Sequence, residues 1–526
     1  MKREDLIAPD QYNIVSEFER YANGSGKKAL IYTTKEGDEK VVTYDELMEL
    51  SNQAANVFVN NGLQKGDVVL VMMPRLIESY STYIGALKAG LVVIPSSEML
   101  RASDIDYRLQ HSGAKAIIAY EQFTGQFEDV KSMEQITLFI VGESNEQLNG
   151  KMKSLSTLMA DASPHFETVQ TNSTDDAFLS YTSGTTGSPK GVVHTHAWGY
   201  AHLRTTGPGW LGIEEDDLVW ATAAPGWQKW IWTPFLSVLG SGATGLIYDG
   251  KFDVNQYFKL IAQYGVNVLC CTPTEYRFMS IAENIAEQDL SSLRSTVSAG
   301  EALNPEVYET FKKHFNIDVR DGYGQTENTL LIGTMIGMEP RLGSMGKPTP
   351  GNIVEIIDDE GHIADVGEVG DIAVHKSTPA LFKQYLNDPE RTNMQFRGEY
   401  YITGDRAQKD EDGYFWFEGR GDDIIISSGY TIGPFEVETA VLEHPAVREC
   451  AVVGTPDPVR GNIVKAYIVL RDPSRKDEEG LVEDIQNHVK SVTAPYKYPR
   501  KIEFIDQMPK TVSGKIMRAV LREREK

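Results

Sequence analysis

Short runs rich in Val, Ile and Leu recur through the first part of the chain: Val68–Met72, Leu91–Ile94, Ala116–Ala119, Leu138–Val141 and Val266–Cys270. Each has strand length and is apolar at successive positions, the pattern of a strand buried on both faces. Between several of them apolar residues recur at helical spacing, as in Tyr44–Asn60 and Ile77–Ala89, and Thr43 is placed to cap the first of these helices. Strand–helix alternation of this kind predicts an α/β architecture with parallel sheets. The longest uncharged stretch, Trp230–Tyr248, contains Pro234 and glycines at 240, 242 and 245, so strand-and-turn structure is expected there rather than a membrane span. Beyond about residue 340, Gly, Pro and Asp become frequent between short alternating runs, which predicts a β-rich subdomain. The polar, glycine-flanked Gly419-Arg-Gly-Asp-Asp423 reads as a hinge into a last, smaller domain.

Composition narrows the function class. The balance of 41% hydrophobic and 24% charged residues is that of a globular protein. A formal net charge of −24 argues against general nucleic-acid binding, which needs clustered Lys and Arg. The last segment is different: from Lys490 to Lys526 ten basic residues face four acidic ones, a balance suited either to a solvated tail or to an anionic ligand. The three cysteines, Cys270, Cys271 and Cys450, show no metal-ligand spacing and fit a reducing compartment. The first residues, MKREDLIAPDQYN, lack an apolar core of signal-peptide length, so a cytosolic protein is expected, without membrane insertion.

Chemistry enters with Tyr181-Thr-Ser-Gly-Thr-Thr-Gly-Ser-Pro-Lys-Gly191. Three glycines, five Ser or Thr hydroxyls and one lysine follow an apolar run. Glycines allow close backbone approach to a bulky anion, hydroxyls and backbone N–H groups donate to phosphate oxygens, and Lys190 adds a cation. Pro189 before the lysine rules out the Walker loop. A flexible Gly/Ser linker would need neither the preceding strand nor the Lys-Gly ending.

This loop resembles the phosphate-binding loop of the adenylate-forming superfamily, which comprises acyl-CoA synthetases, peptide-synthetase adenylation domains and firefly-type luciferases. Further motifs of that superfamily follow in order: Ala299-Gly-Glu-Ala302, Asp321-Gly-Tyr-Gly-Gln-Thr-Glu327, Tyr401-Ile-Thr-Gly-Asp405, Gly419-Arg-Gly-Asp-Asp423 and Pro509-Lys-Thr-Val-Ser-Gly-Lys515. The resemblance spans nearly the whole chain and points to medium-chain or methylbutyryl-type acyl-CoA synthetases. It implies a large N-terminal AMP-binding domain over 1–421, with parallel α/β sheets and the β-rich subdomain. A small mobile α+β domain over 422–526 would follow, with the hinge at Asp422.

The resemblance also implies roles. Thr182, Ser183, Gly184, Thr185, Thr186, Gly187 and Lys190 would hold the ATP phosphates. Gly300, Glu301 and Ala302 would lie along the adenine, Tyr323 would stack on its other face, and Asp321 and Gly322 would sit near its amino group. Asp405 would accept from the ribose hydroxyls and Arg420 would donate to the ribose. Thr326 would reach the α-phosphate, and Glu327 would help hold Mg²⁺, a hard cation that prefers oxygen. Lys515 would bridge the attacking carboxylate and the α-phosphate, stabilising charge as it develops. Rotation about the hinge would replace Lys515 by Ser428-Gly429-Tyr430, with Gly429 against the pantetheine arm of coenzyme A. Relatives often carry a basic residue at the place of Thr431, so a phosphate contact there is not implied. Acylation of Lys515 would remove its charge, making lysine-acylating and deacylating enzymes expected partners.

For the acid, acetate-specific members place Trp where this chain has Gly324, which suggests an acyl pocket opened to a short branched or medium-chain aliphatic acid. Trp227 would be a pocket wall or an ordinary core residue. His194 and His196 receive no catalytic role; capping or packing is expected of them. Two other functions compete with the ligase: an adenylation enzyme loading a carrier protein, and a non-catalytic ligand-binding member of the fold. The first would want an acidic residue within Trp220–Trp227, and that stretch has none.

Overall fold

The structure, a computed structural model, describes the chain except for residues 143–151, 183–188, 302, 304, 422, 428–429, 459, 495, 511–515 and 526, and the side chains of residues 430 and 431. Its packing divides into two compact units. One comprises Met1–Pro340, Pro348–Ile353 and Lys376–Phe396; the other comprises Arg341–Lys347, Val354–His375 and Arg397–Lys526.

The first unit is α/β, as the periodicity predicts. The buried runs form parallel strands Val68–Met72, Val92–Pro95, Ala116–Tyr120 and Thr137–Val141 of one sheet. That sheet ends in a hairpin, Asp176–Thr182 against Lys190–Thr195, edged by Gln384–Tyr385. A second sheet runs parallel through Val319–Gly324, Ser295–Ala299, Val268–Cys271, Leu218–Ala221, Thr244–Tyr248 and Lys28–Thr33. Antiparallel strands Leu330–Gly333 and Glu39–Thr43 flank it. One buried cluster draws on both sheets and on the helices packed with them, joining Leu30, Val71 and Phe139 to Leu47, Tyr83, Trp198 and Phe235. Helix Tyr44–Asn60 begins where expected, because the Thr43 hydroxyl accepts from Glu46 N (3.2 Å) while the Glu46 carboxylate accepts from Thr43 N (2.8 Å).

One sequence expectation is overturned. The front of Trp230–Tyr248 is helical: a short turn over Gln228–Trp230 continues into a wide helix, Ile231–Ser237, and a last turn, Val238–Gly240. Pro234 sits inside the wide helix and removes one main-chain donor from it, so the sequence signal that ordinarily marks a turn falls here within a helix. Only Thr244–Tyr248 is a strand.

The second unit carries the predicted β-rich subdomain. Strands Val354–Ile357, Gly370–His375, Tyr400–Lys409 and Phe415–Arg420 pair antiparallel in that order, with Ser344–Pro348 next to the last. After residue 423 comes an α+β element. Strands Ile425–Ser427, Tyr430–Ile432, Val447–Asp457, Gly461–Leu470 and Lys501–Phe504 form one sheet, packed with helices Pro434–Leu442 and Leu481–Val492 around Val437, Val452, Ile468 and Ile485. Among the described residues no helix is long and apolar enough to cross a membrane. Cys270, Cys271 and Cys450 are free thiols, all buried.

Candidate active site

In the first unit the residues predicted for the adenine, Gly300, Glu301 and Asp321–Tyr323, collect at the carboxyl ends of the parallel strands of the second sheet, the edge where open α/β sheets take ligands. Strand Ser295–Ala299 delivers Gly300 and Glu301, and its neighbour delivers Asp321, Gly322, Tyr323 and Gly324 in register, with Ser298 beside Asp321 and Ala299 beside Gly322. Gly300 has φ +107°, a conformation L side chains rarely adopt, so the chain turns sharply off the strand there. Glu301 lies 3.6 Å from the Arg277 guanidinium and accepts from the Thr274 hydroxyl (3.2 Å).

Asp321 is half-buried, and that desolvation pushes its carboxyl up to about 7, against the pull of the Gly322 and Leu303 N–H groups and of Lys229. The unfolded chain releases this proton near pH 3.9 and the folded one near 7. Stability therefore falls as pH rises between those values and levels off above them. Asp321→Asn keeps an acceptor for the Gly322 N–H and removes the ionisation. The ligand-free variant is expected to be about 2 kcal/mol more stable than wild type at pH 8, roughly half the full linkage value because the group is partly exposed, with the difference vanishing by pH 4. Urea melts across that range check it.

The hairpin brings Thr182 opposite Lys190, at the two ends flanking the glycine-rich loop. The Lys190 ammonium lies 4.8 Å from the centroid of the Tyr385 ring and 3.4 Å from its hydroxyl. That hydroxyl donates to Glu327 Oε1 at 2.9 Å. A cation from the phosphate-loop motif and a buried carboxylate from a motif far along the chain are thus joined through one buried phenol. Tyr385 lies in none of the motifs; it is the buried residue of a two-residue edge strand, Gln384–Tyr385, that no sequence pattern marks.

Thr326 and Glu327 belong to the connection between strands Val319–Gly324 and Leu330–Gly333. His194 Nε2 donates to Thr326 O (2.6 Å), Phe382 N to Glu327 O (2.7 Å) and Trp198 Nε1 to Asn328 O (2.9 Å). The Thr329 hydroxyl donates to His202 Nδ1 (2.7 Å), whose Nε2 donates to Trp232 O (2.9 Å). Burial lowers the imidazoles of His194 to about 3 and of His202 to about 4, so both are neutral near pH 7. His196 accepts from Ile14 N (3.2 Å), a packing role. Local pattern assigns His194 only capping or packing and gives no signal for Trp198 and His202, because their partners lie 127 to 132 residues away.

A side chain on Gly324 would meet Thr329 O at 2.1 Å and the Trp232 indole at 2.9 Å from its Cβ. Glycine is thus demanded by backbone packing as well as by any pocket beside it. Trp227 is 37% exposed, which removes the core reading for it. The two residues after it tie the segment down: Gln228 pairs with the Ser180 hydroxyl of the hairpin, and Lys229 Nζ donates to Ala299 O at 2.6 Å.

In the second unit Asp405 and Arg420 stand directly opposite each other on paired strands, Asp405 buried and Arg420 exposed. Tyr430 opens the strand Tyr430–Ile432. Ser183, Gly184, Thr185, Thr186, Gly187, Ala302, Asp422, Ser428, Gly429 and Lys515 lie outside the described residues.

Residues 18–386 match the family described as AMP-binding enzyme, and residues 436–515 match the AMP-binding enzyme C-terminal domain. The chain belongs to this AMP-binding enzyme family. A Bacillus subtilis (strain 168) member named as an uncharacterized acyl–CoA ligase, YtcI, is 56% identical over 100% of this chain and 98% of its own. The rat mitochondrial acyl-coenzyme A synthetase ACSM3 is 43% identical over 93% of this chain and 85% of its own. Among solved structures of family members, the anthranilate CoA ligase AuaEII in complex with anthranoyl-AMP superposes with a TM-score of 0.91. It is 30% identical and covers 100% of this chain and 99% of its own. The adenylate-forming mixed α/β fold expected from the motifs is therefore the fold of this chain.

Proposed function

We infer that the chain is an AMP-forming acid–CoA ligase. A carboxylate oxygen of the acid attacks the α-phosphorus of ATP and pyrophosphate leaves. The CoA sulfur then attacks the acyl carbonyl and AMP leaves. The observation that carries this reading is end-to-end similarity to proteins named as acyl–CoA ligases and synthetases. The same similarity disfavours the carrier-loading and non-catalytic alternatives.

Each residue has work suited to its chemistry. Lys190 and the hydroxyls and amides of residues 182–187 balance the charge of the leaving pyrophosphate. Thr326 donates to the α-phosphate. Asp321 and Tyr323 hold the adenine between strand and loop, with Gly300, Glu301 and Ala302 along its other side. Asp405 accepts from the ribose hydroxyls beside Arg420. Glu327 fits a Mg²⁺ ligand: it is a buried hard-oxygen donor, oriented by the Tyr385 hydroxyl. Among the described residues no group of three or more His, Cys, Asp or Glu could form a metal cage, which suits an ion shared with nucleotide phosphates. When bound there, Mg²⁺ would neutralise phosphate charge. Lys515 serves the first half-reaction and the Ser428-Gly429-Tyr430 loop the second, with Asp422 as the hinge between domains 1–421 and 422–526. Three buried free thiols support a cytosolic location.

The proposed acid is short and branched or medium-chain aliphatic, on the absence of an indole at Gly324. A second reading, an aromatic acid, is favoured by the end-to-end likeness to a ligase of anthranilate. CoA-dependent AMP formation over acetate to decanoate, isobutyrate, 2-methylbutyrate, benzoate and anthranilate separates them. Highest kcat/KM is expected on branched or C4–C8 acids. A maximum on benzoate or anthranilate would select the aromatic reading, and AMP release indifferent to CoA would sink the ligase.

A further inference from the structure

Strand Lys190–Thr195 and the helix after it, His196–Thr206, carry His194, Trp198 and His202 at four-residue intervals, on one side of the chain and almost wholly buried. Their rings brace one another, with centroids 4.3 Å apart for His194 and Trp198 and 5.2 Å apart for Trp198 and His202. All three face the connection that carries Thr326 and Glu327. We propose that His194, Trp198 and His202 are positioning residues that set the catalytic connection Thr326–Thr329, His194 and Trp198 by holding its main chain and His202 by holding the Thr329 hydroxyl.

Main-chain carbonyls in a connection have no sheet partner to fix them, and here three in succession are taken by donors from distant parts of the chain. His194 holds Thr326 O, the Phe382 amide holds Glu327 O and Trp198 holds Asn328 O. A carbonyl can only accept, so the His194 proton is on Nε2, and Nδ1 has no partner among the described residues. The imidazole is thereby committed to holding the backbone and not to moving a proton. His202 extends the hold to the Thr329 hydroxyl. The Asn328 side chain closes the turn from within, its Oδ1 accepting from Gln325 N at 2.8 Å.

The strand that carries His194 begins at Lys190, which reaches Glu327 through Tyr385. The strand is thus fastened to the connection at two points: through a side chain at Glu327 and through the main chain at Thr326. A displacement of the connection would move the Thr326 hydroxyl and the Glu327 carboxylate together, and misplacement by about 1 Å costs on the order of 100-fold in rate.

The proposal rests on the roles inferred above for Thr326 and Glu327, and the test separates the two. His194→Phe keeps a ring and loses the donor; His194→Gln keeps an N–H of similar reach. For His194→Phe, kcat of acid-dependent ATP–pyrophosphate exchange is expected to fall about 100-fold with the acid KM within a few-fold of wild type, and His194→Gln to recover at least a tenth of the wild-type rate. Hydrogen exchange on the ligand-free protein supplies a second readout. Amides of residues 325–330 are expected to exchange at least tenfold faster in His194→Phe while the strands of the same sheet keep their protection. Wild-type kcat in a folded His194→Phe, or a general loss of protection across the unit, would overturn the proposal. Glu327→Gln is run beside it: unchanged exchange activity there would instead overturn the role of Glu327. Should His194→Phe not fold, Trp198→Phe removes the donor to Asn328 O and carries the same test.

Discussion

Lys515→Gln is expected to lower acid-dependent ATP–pyrophosphate exchange by about 10²–10³-fold while leaving CoA acylation from pre-formed acyl-adenylate within a few-fold of wild type. The first half-reaction brings a carboxylate against a phosphate already bearing negative charge, so a fixed cation between them acts on the transition state more than on either reactant. The second half-reaction has an uncharged acyl carbonyl as electrophile and gains nothing from that cation. Separate assays of the two halves check the split. Equal loss in both would mean that Lys515 supports the domain as a whole, and normal exchange would remove it from the chemistry. Glutamine also approximates an acylated lysine in charge, so the same result would make Lys515 a control point for lysine-acylating and deacylating enzymes. Acylation of the intact protein should then reproduce the split, and deacylation should reverse it.

Gly324→Ala is expected to destabilise the protein by about 3 kcal/mol, and Gly324→Trp by more. The Cβ would start 2.1 Å from the Thr329 carbonyl oxygen, a backbone atom that cannot rotate away, with the Trp232 indole at 2.9 Å closing the other side. Thr329 is itself fixed through its hydroxyl to His202, so relief would require the clamped connection to move. Thermal melts of the alanine variant check the magnitude. A Gly324→Trp protein that folds and shifts its preference to acetate would show that the backbone here yields, and that the residue acts as a simple pocket gate.

Parts of this architecture are legible in local pattern. Val68–Met72 and Tyr44–Asn60 occur as strand and helix with the bounds that periodicity and the Thr43 cap predict. The first half of Trp230–Tyr248 departs from its local signal because Pro and Gly ordinarily mark turns, whereas here Pro234 lies in a wide helix whose Phe235 packs on Tyr80 and Tyr83. The candidate site divides in the same way. Lys190, Asp321, Thr326, Glu327, Asp405 and Arg420 stand in ordered motifs whose composition already suggests phosphate, ribose and metal chemistry.

Tyr385, His194, Trp198, His202 and Trp232 give no such signal, since an aromatic or histidine on an apolar stretch reads as core; the first four are buried there and Trp232 packs half-buried against it. Their contribution comes from partners found across 30 to 195 residues of chain: a phenol between Lys190 and Glu327, ring donors on the carbonyls of Thr326 and Asn328, and an indole edge filling the space beside Gly324. The sequence by itself determined the α/β class, the acidic charge balance and the ordered motifs from which handling of ATP and a carboxylate is proposed, because period, charge and motif are properties of neighbouring residues. The hold on the catalytic connection and the packing reason for Gly324 were decided only by tertiary structure, because hydrogen-bond donors and close contacts act over about 3 Å between segments whose proximity no local pattern encodes.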